Sequence, residues 1–397
     1  MNFNAKLRFI VTSDIHYKVD SDVEKERFET GMQNAYRYAE NQSYKNIDAF
    51  FAVGDFANRG QADEMIKFKE SLDKVIRPET KITLMLASHE FMSEGQDAAR
   101  EKLKSIYGYE PDNHFELKGC NFICLSTEDG CRIKDTKQEW LKEKLSLSVS
   151  NGRKAPIFVF QHPHLTDTVY GSINWGEDDI IAILADYPQV IDFSGHSHAP
   201  INDPRSIHQK YITSLNTGSL SYFELDEFDL MYGTVPPDAK QCAQFYIVEV
   251  NDQNAVRILS YDILTESFFD NEYLIETPWD PESFIYTPDR ALTEPRPYFS
   301  EDTACIVTAK NGRLNVEFTQ AKTDGYRVNA YTLSIKNSLT ETIQQKRVCS
   351  SYYLNDMPEK MSVSFDFPFD PGEYSLEITA HGFWIVKSDK FICSFSV

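Results

Sequence analysis

The stretch LRFIVTSDIH, residues 7–16, joins a buried-strand pattern to a polar end. Residues 7–13 are largely apolar, which is typical of a strand that is covered on both faces. Asp14 and His16 follow directly, at the point where the strand ends. The stretch therefore predicts a sheet whose strand ends carry chemically reactive side chains.

The same alternation of strand and helix continues through the first half of the chain. Apolar runs at 47–53 and 81–87 predict two more strands. Three helices are also predicted: one that starts at a Ser21–Glu24 capping box, one over about 63–75 and one through 97–107. Later strand patterns come with fewer helices between them, at 121–126, 156–161, 189–194, 244–250 and 256–262. This order predicts an α/β fold whose sheets are covered by helices, and a sheet system that is mixed or doubled.

A second kind of pattern begins near residue 278. Five prolines fall between Pro278 and Pro297, which predicts a stiff connector. Beyond it, every second residue is apolar in short runs at 331–335, 361–367, 373–379 and 391–397. We therefore predict three segments: a catalytic domain over 1–277, a proline-rich linker over 278–300, and a small antiparallel β-sandwich over 301–397.

Composition restricts the partners. The formal net charge of −21 repels polyanions, so nucleic acid is not expected as a partner, whereas a small phosphoester is compatible with the charge. No run approaches the roughly 20 apolar residues of a membrane span, and the chain opens without a secretory pattern. Seven scattered cysteines without a CxxC pair are typical of buried thiols in a reducing compartment. We expect a soluble, cytoplasmic protein.

Five polar clusters stand where the predicted strands end. Their members are Asp14 and His16; Asp55 and Arg59; Ser88, His89 and Glu90; His162 and His164; His196 and His198. Reactive groups gather at the carboxyl ends of strands in open α/β sheets, so we expect these clusters to converge. Carboxylates and imidazoles together suit Mn, Fe or Zn, and a carboxylate can bridge two cations. Two such cations can clamp a phosphoryl group and activate water.

The order Asp-x-His, Gly-Asp-x-x-x-Arg-Gly, x-His-Glu, His and Gly-His-x-His resembles the calcineurin-like metallophosphoesterase superfamily over roughly residues 7–265. The resemblance implies a four-layer αββα sandwich with two sheets between helices. It also implies two divalent metal ions, with Mn or Fe favoured over Zn, and hydrolysis of phosphate esters by a metal-bound hydroxide.

The resemblance also implies a role for each matching residue. One metal would be held by Asp14, His16 and His198, and the other by His162 and His196. Asp55 would bridge the two metals. His89 would be the general acid that protonates the leaving oxygen, and Arg59 would grip a phosphate oxygen.

Two residues depart from the family pattern. Ser88 stands where the family usually has an asparagine that ligates the second metal, and a serine hydroxyl is a shorter and weaker ligand. Asn58 stands where many members have an aspartate that orients the catalytic histidine. Glu90 could assist His89 instead, or it could cap the following helix.

Several alternatives remain open at this stage. A phosphodiesterase is favoured, because the motifs contain few basic residues to neutralise a dianion, whereas Arg59 favours a phosphomonoesterase or protein phosphatase. The remaining alternative is a scaffold that kept the fold and lost turnover, which Ser88 and Asn58 favour.

Two loops are predicted to shape the pocket. Their candidate substrate-binding residues are His164, Tyr170 and Trp175, with Tyr222, Phe223 and Tyr232 as further aromatics that could instead anchor the loops. The tail resembles fibronectin type III or immunoglobulin-like modules in pattern, and self-association or partner binding through it is left open.

Overall fold

The computed structural model describes residues 3–150, 152, 154–225, 239–310, 312–337, 341–366, 370–384 and 386–397. These residues fall into two compact units, one with the described residues up to Pro288 and the other from Asp289 onward. The division lies inside the segment that the prolines mark as a connector. That segment contains a 3₁₀ turn at Pro281–Ser283 and a short helix at Arg290–Thr293.

The first unit contains fourteen strands and six helices among the described residues. The strands are β1 (Ala5–Thr12), β2 (Ala49–Ala52), β3 (Lys81–Leu84), β4 (Asn113–Leu117), β5 (Cys120–Cys124), β6 (Ile157–Phe160), β7 (His164–Leu165), β8 (Gly176–Glu177), β9 (Val190–Ser194), β10 (Ile207–Gln209), β11 (Thr213–Asn216), β12 (Gln244–Asn251), β13 (Val256–Asp262) and β14 (Ser267–Ile275). The helices are α1 (Val23–Glu40), α2 (Ala62–Val75), α3 (Gln96–Lys102), α4 (Asp135–Ser148), α5 (Ser172–Trp175) and α6 (Ile181–Leu184).

Two six-stranded mixed sheets form the centre of this unit. The first has the order β14-β13-β12-β1-β2-β3, in which β1, β2 and β3 are parallel and the other neighbours are antiparallel. The second has the order β10-β11-β9-β6-β5-β4, with β5, β6, β9 and β11 parallel. The parallel strands of each sheet end at a common edge, and the functional residues follow these ends.

The two sheets face each other across an aromatic core. Phe9 and Phe51 of the first sheet contact Phe122, Phe160 and Phe193 of the second, and the rings of Phe51 and Phe160 stack at 4.0 Å. Helices α1 and α2 cover the outer face of the first sheet, and α4 covers the outer face of the second. The result is the predicted four-layer αββα sandwich.

Local details differ from the sequence prediction. The predicted capping box places Ser21 at the cap, but α1 begins at Val23 with Asp22 as its N-cap, while the Ser21 hydroxyl still donates to Glu24 at 2.8 Å. The helix predicted through 97–107 is α-helical to Lys102 and continues as one π-helical turn at Leu103–Tyr107.

The second unit is all-β, as the alternating runs predict. Its strands are β15 (Cys305–Lys310), β16 (Arg313–Thr319), β17 (Ala330–Lys336), β18 (Thr342–Cys349), β19 (Lys360–Asp366), β20 (Glu373–His381) and β21 (Phe391–Ser396). They form two antiparallel sheets, β15-β16-β19 and β18-β17-β20-β21, around a shared apolar core. This is a sandwich of three and four strands.

Within the described part of the chain, no helix combines the length and the apolar character needed to cross a bilayer.

Candidate active site

The predicted site residues lie at the carboxyl-end rim of the parallel strands, and both sheets contribute. The loops after β1, β2 and β3 supply Asp14, His16, Asp55, Ser88 and His89, and the loops after β6 and β9 supply His162, His196 and His198. These loops meet directly. The backbone N–H of His16 donates to the Asp55 carbonyl at 3.0 Å, and that of His196 donates to Asp14 Oδ2 at 3.1 Å.

The backbone is strained at this rim. Among the described residues, ten non-glycine residues have positive φ, and half of them are predicted metal ligands: Asp14 (50°), His16 (52°), Asp55 (50°), His196 (71°) and His198 (51°). A left-handed conformation is unfavourable for residues with a side chain and persists only where the surroundings enforce it. Concentration of these conformations at one rim therefore marks a functional site.

The first candidate metal group contains Asp14, His16 and His198. Their ligand atoms all lie within 4.8 Å of one another. His198 Nε2 is 3.2 Å from Asp14 Oδ1 and 3.1 Å from His16 Nε2. Two imidazole nitrogens and one carboxylate oxygen, all buried, form a donor set that suits a divalent transition metal.

The second candidate metal group contains Asp55, His162 and His196, again within 4.8 Å. His162 Nε2 lies 3.0 Å from Asp55 Oδ2. Asp55 also belongs to a third group of the same compactness, with His16 and His89. Asp55 therefore lies between the two sets of histidines, where a bridging carboxylate is expected.

Backbone carbonyls orient the histidines. The Nδ1 atoms of His162, His198 and His89 lie 2.7, 2.9 and 2.6 Å from the carbonyl oxygens of Val53, Tyr222 and Asn58. A carbonyl can only accept, so each ring carries its proton on Nδ1 and directs Nε2 into the site. This arrangement leaves Nε2 available to a metal or a substrate. For His89, the main chain of residue 58 does the orienting, so an amide side chain there does not prevent it.

Ser88 and Glu90 have roles that differ from the predicted ones. The Ser88 hydroxyl is directed at Asp55, 2.8 Å from Oδ2 and 3.2 Å from Oδ1. The Glu90 carboxylate accepts the backbone N–H groups of Asp55, Ala57 and Ala87 at 2.9–3.0 Å. Glu90 therefore fixes the loop that carries Asp55, and these contacts are with main-chain groups rather than with the imidazole of His89.

Charge pairing sets the protonation of the ligands. Burial opposes ionisation of Asp14, but His198 and His162 hold its pKa well below the usual range, and His162 does the same for Asp55. Burial lowers and the two carboxylates raise the pKa of His162, with a net value of about 10. Burial and the nearby His198 hold the pKa of His16 well below its usual range. Burial and the nearby His162 lower the pKa of His196 to about 4. Without a cation, the site therefore combines two carboxylates with a protonated His162 and with neutral imidazoles at His16 and His196.

The predicted substrate-binding residues are dispersed. Trp175 borders the second metal group, with its ring edge-on to His196 at 4.8 Å. His164 is fully buried, and its Nδ1 lies 2.7 Å from the Ser194 hydroxyl. The Tyr170 ring packs under the guanidinium of Arg205 at 3.7 Å, so one ring face is already covered. Arg59 is exposed, and within the described residues its guanidinium makes no ion pair.

The other predicted aromatic residues, Tyr222, Phe223 and Tyr232, do not lie together either. Tyr222 packs on the ring of His198 at 4.3 Å and so borders the first metal group. Phe223 is buried, and Tyr232 lies outside the described residues.

Sequence reasoning missed Cys131. Its Sγ lies 3.8 Å from His196 Nε2, and the residue is exposed rather than buried as predicted for the cysteines. Cys131 follows β5, which runs parallel to β6, so its loop reaches the same rim. The rule that reactive groups collect at strand ends could have identified it.

The residues present fit a pair of divalent cations. Asp14 Oδ1 and His162 Nε2 are buried and have no hydrogen-bond partner in the described structure. Buried polar atoms without a partner are rare in folded proteins, and metal ligands are one reason for them. Together with the mixed carboxylate and imidazole donors, these two atoms indicate that both groups could hold metal.

Comparison with known proteins gives the family. The family model of calcineurin-like phosphoesterases matches residues 7–200. Residues 7–200 are thus similar to this family, and the similarity supports a hydrolase acting on phosphoesters. No match was found among the curated proteins.

Similar solved structures include a purple acid phosphatase from yellow lupin (Lupinus luteus) seeds, with 13% identity and a TM-score of 0.48, over 68% of this chain and 53% of that one. The chain thus spans about half the length of the lupin enzyme. PhoD is similar at 9% identity with a TM-score of 0.40, over 70% of this chain and 71% of that one.

Gly54 provides a test of how the loops position His162. A Cβ at Gly54 would lie 2.6 Å from His162 Nδ1, whereas at Gly95, with the same φ of about 83–84°, it would meet nothing within 4 Å. We expect Gly54→Ala to weaken binding of the second cation by about 10–100-fold, because it displaces a ligand from its carbonyl partner. Gly95→Ala should cost only the backbone strain of about 1–2 kcal/mol. Metal titration and thermal unfolding of both variants measure this difference, and equal metal affinities would contradict it.

The raised pKa of His162 predicts proton release on metal binding. The group is protonated in the cation-free protein below pH about 10, and only the neutral ring can ligate. At pH 8 we therefore expect uptake of the second cation to release about one proton, with release declining above pH 10. Calorimetric titration in two buffers of different ionisation enthalpy counts the protons. A count of zero at pH 8 would show that His162 is already neutral.

Proposed function

We propose that this protein is a metal-dependent hydrolase of phosphate esters, with diesters favoured over monoesters. One observation supports this proposal above the others. Asp55 belongs to one compact group with His162 and His196 and to another with His16 and His89, and its Oδ2 lies 3.0 Å from His162 Nε2. Such an arrangement suits two cations that share one carboxylate.

Each ligand has an assigned part in this proposal. Asp14, His16 and His198 would hold one cation, His162 and His196 would hold the other, and Asp55 would serve both. When bound, two divalent cations activate a water molecule and neutralise the oxygens of the phosphoryl group. Imidazole and carboxylate donors favour Mn, Fe or Zn, and Mn and Fe are the preferred candidates for the pair.

His89 supplies the proton to the leaving oxygen in this proposal. Its Nδ1 donates to the Asn58 carbonyl at 2.6 Å, and its Nε2 lies 4.0 Å from Asp55 Oδ2, beside the position of the cations. The His89 side chain is 27% exposed, so it can reach a substrate that enters from solvent. A carbonyl acceptor on Nδ1 also stabilises the ring when both nitrogens carry protons.

The preference for diesters follows from charge. A monoester presents a dianion, and Arg59 is the one basic side chain in the matching motifs that could neutralise the second charge. Arg59 is exposed and starts from the loop that also orients His89, so its contact with phosphate remains a prediction. The alternative activity is a phosphomonoesterase, in which Arg59 binds the dianion.

Hydrolysis of mono- and bis-nitrophenyl phosphate by the purified chain tests this proposal, with metal content measured on the same sample. We expect about two cations per chain and a kcat/KM for the diester at least about tenfold above that for the monoester, equivalent to about 1.4 kcal/mol. A reversed ratio would replace the diesterase with a monoesterase. Absence of bound metal together with absence of hydrolysis would refute the enzyme altogether.

A further inference from the structure

Cys131 lies beside the second metal group. The Cys131 loop follows β5, whose carboxyl end points to the same rim as that of β6. Cys131 Sγ is 3.8 Å from Nε2 of His196, a residue of the metal group with Asp55 and His162. The sulfur therefore approaches the group from the side of His196.

Several contacts hold the Cys131 loop in place. The carboxylate of Asp129 accepts the backbone N–H groups of Cys131 and Arg132 at 3.1 and 2.9 Å. The Arg132 guanidinium forms two hydrogen bonds to Asp179, at 2.9 and 2.7 Å. The backbone N–H of Thr127 donates to the carbonyl of Leu86 near the end of β3 at 3.1 Å. The position of Cys131 is thus a property of the fold and does not depend on a contact with substrate.

The loop also lies against Ser88, the residue that departs from the family pattern. A Cβ on Gly130 would be 3.0 Å from the Ser88 Cα, so Cys131 follows a residue that touches Ser88. The Ser88 hydroxyl already donates to Asp55. The second group therefore offers three protein ligands, one fewer than the family pattern supplies with its asparagine. His162 Nε2, which is buried and makes no hydrogen bond in the described structure, also points into this group.

We propose that Cys131 is the fourth protein ligand of the second cation, in place of the amide that Ser88 replaces. Sulfur and imidazole nitrogen on one tetrahedral cation, at about 2.3 and 2.05 Å, are about 3.6 Å apart. The observed separation of 3.8 Å from Cys131 Sγ to His196 Nε2 is close to this value. A thiolate is a soft ligand, so the second site selects Fe or Zn over Mn.

This inference rests on the proposed dinuclear site, and a spectroscopic experiment separates the two. The metal-free full-length chain is titrated with Co²⁺, and the near-ultraviolet sulfur-to-cobalt charge-transfer absorption is recorded. We expect the absorption to rise with only one of the two bound equivalents. Cys131→Ala should abolish this absorption and lower the affinity for that cation by about 100-fold or more. Even the loss of a group that hydrogen-bonds to a ligand lowers metal affinity by about 10–100-fold.

Two further variants sharpen the test. Cys349→Ala, in the tail, should leave the absorption and both affinities unchanged. Adding Ser88→Asn to Cys131→Ala should restore the second affinity without restoring the absorption, because an amide then occupies the fourth position. Binding of two Co²⁺ ions by the unaltered chain without the charge-transfer absorption would overturn the role of Cys131 and leave the proposed function intact. Failure to bind any Co²⁺ would refute both.

Discussion

Replacing Asp55 with asparagine should lower kcat/KM for a phosphodiester by at least about 1,000-fold, about 4 kcal/mol of transition-state stabilisation. The change removes the carboxylate that belongs to one compact group with His162 and His196 and to another with His16 and His89, and whose Oδ2 lies 3.0 Å from His162 Nε2. Without it, two cations at close range have no shared anion between them, so one of them should be lost. Metal content by mass spectrometry and kcat/KM with bis-nitrophenyl phosphate measure both effects.

Asp192→Asn is a matched control for this variant. Asp192 lies on β9, a few residues before His196, and it faces away from the core between the sheets, because its neighbours Ile191 and Phe193 face into that core. Burial raises the pKa of Asp192 well above its usual range and so favours the uncharged carboxyl, which resembles an amide. We expect Asp192→Asn to keep both cations and most activity. Equal losses in the two variants would indicate misfolding instead of a missing bridge.

Replacing His89 with alanine should have an effect that depends on the leaving group. A general acid contributes about 10²–10⁴-fold when the departing oxygen is a poor leaving group. We therefore expect a loss in this range for alkyl phosphodiesters and a loss below about tenfold for nitrophenyl esters, whose phenolate departs without a proton. Comparison of kcat for the two substrate types in the variant and the parent measures this difference.

Metal content separates a proton donor from a metal ligand at this position. His89 belongs to a compact group with His16 and Asp55, so it lies within reach of a cation. If it is the acid, the alanine variant should retain both cations. His114→Ala provides the control, because His114 is a half-buried histidine of β4 whose contacts are with Asn121 and Ser148. Equal losses on both substrate types, together with loss of metal, would make His89 a ligand.

The fold could be predicted to a large extent because its strands are buried on both faces. The apolar runs at 47–53 and 81–87 contain β2 and β3, and the alternating tail runs overlap β17, β19, β20 and β21. Helices α4, α5 and α6 and strands β4, β7, β8, β10, β11, β14, β15, β16 and β18 were not predicted. The α4 sequence buries only Leu141 and Leu145 among its described positions, so its apolar stripe is too narrow to stand out. Strand β18 is largely exposed, which removes the period-two signal.

The site could be predicted as a set of residues but not as a network. The strand ends contain the carboxylate and imidazole side chains that make up the three compact groups. The Nδ1 atoms of these histidines contact the backbone carbonyls of Val53, Asn58 and Tyr222. Every residue has a backbone carbonyl, so the sequence does not show which one a histidine will contact. For the same reason the sequence suggested that Asn58 would disorient His89, although the main chain of that residue does the orienting.

The left-handed conformations at the rim have a consequence for how this protein could change. At about 1–2 kcal/mol for each such non-glycine residue, Asp14, His16, Asp55, His196 and His198 together oppose folding by an amount comparable with the whole stability of a small domain. Glycine at any of these positions would relieve the strain. A variant that did not need to bind cations would therefore gain stability if glycine replaced these residues. The backbone conformations that position the ligands for hydrolysis thus lower the free energy of unfolding, and all of them lie at one edge of the sandwich.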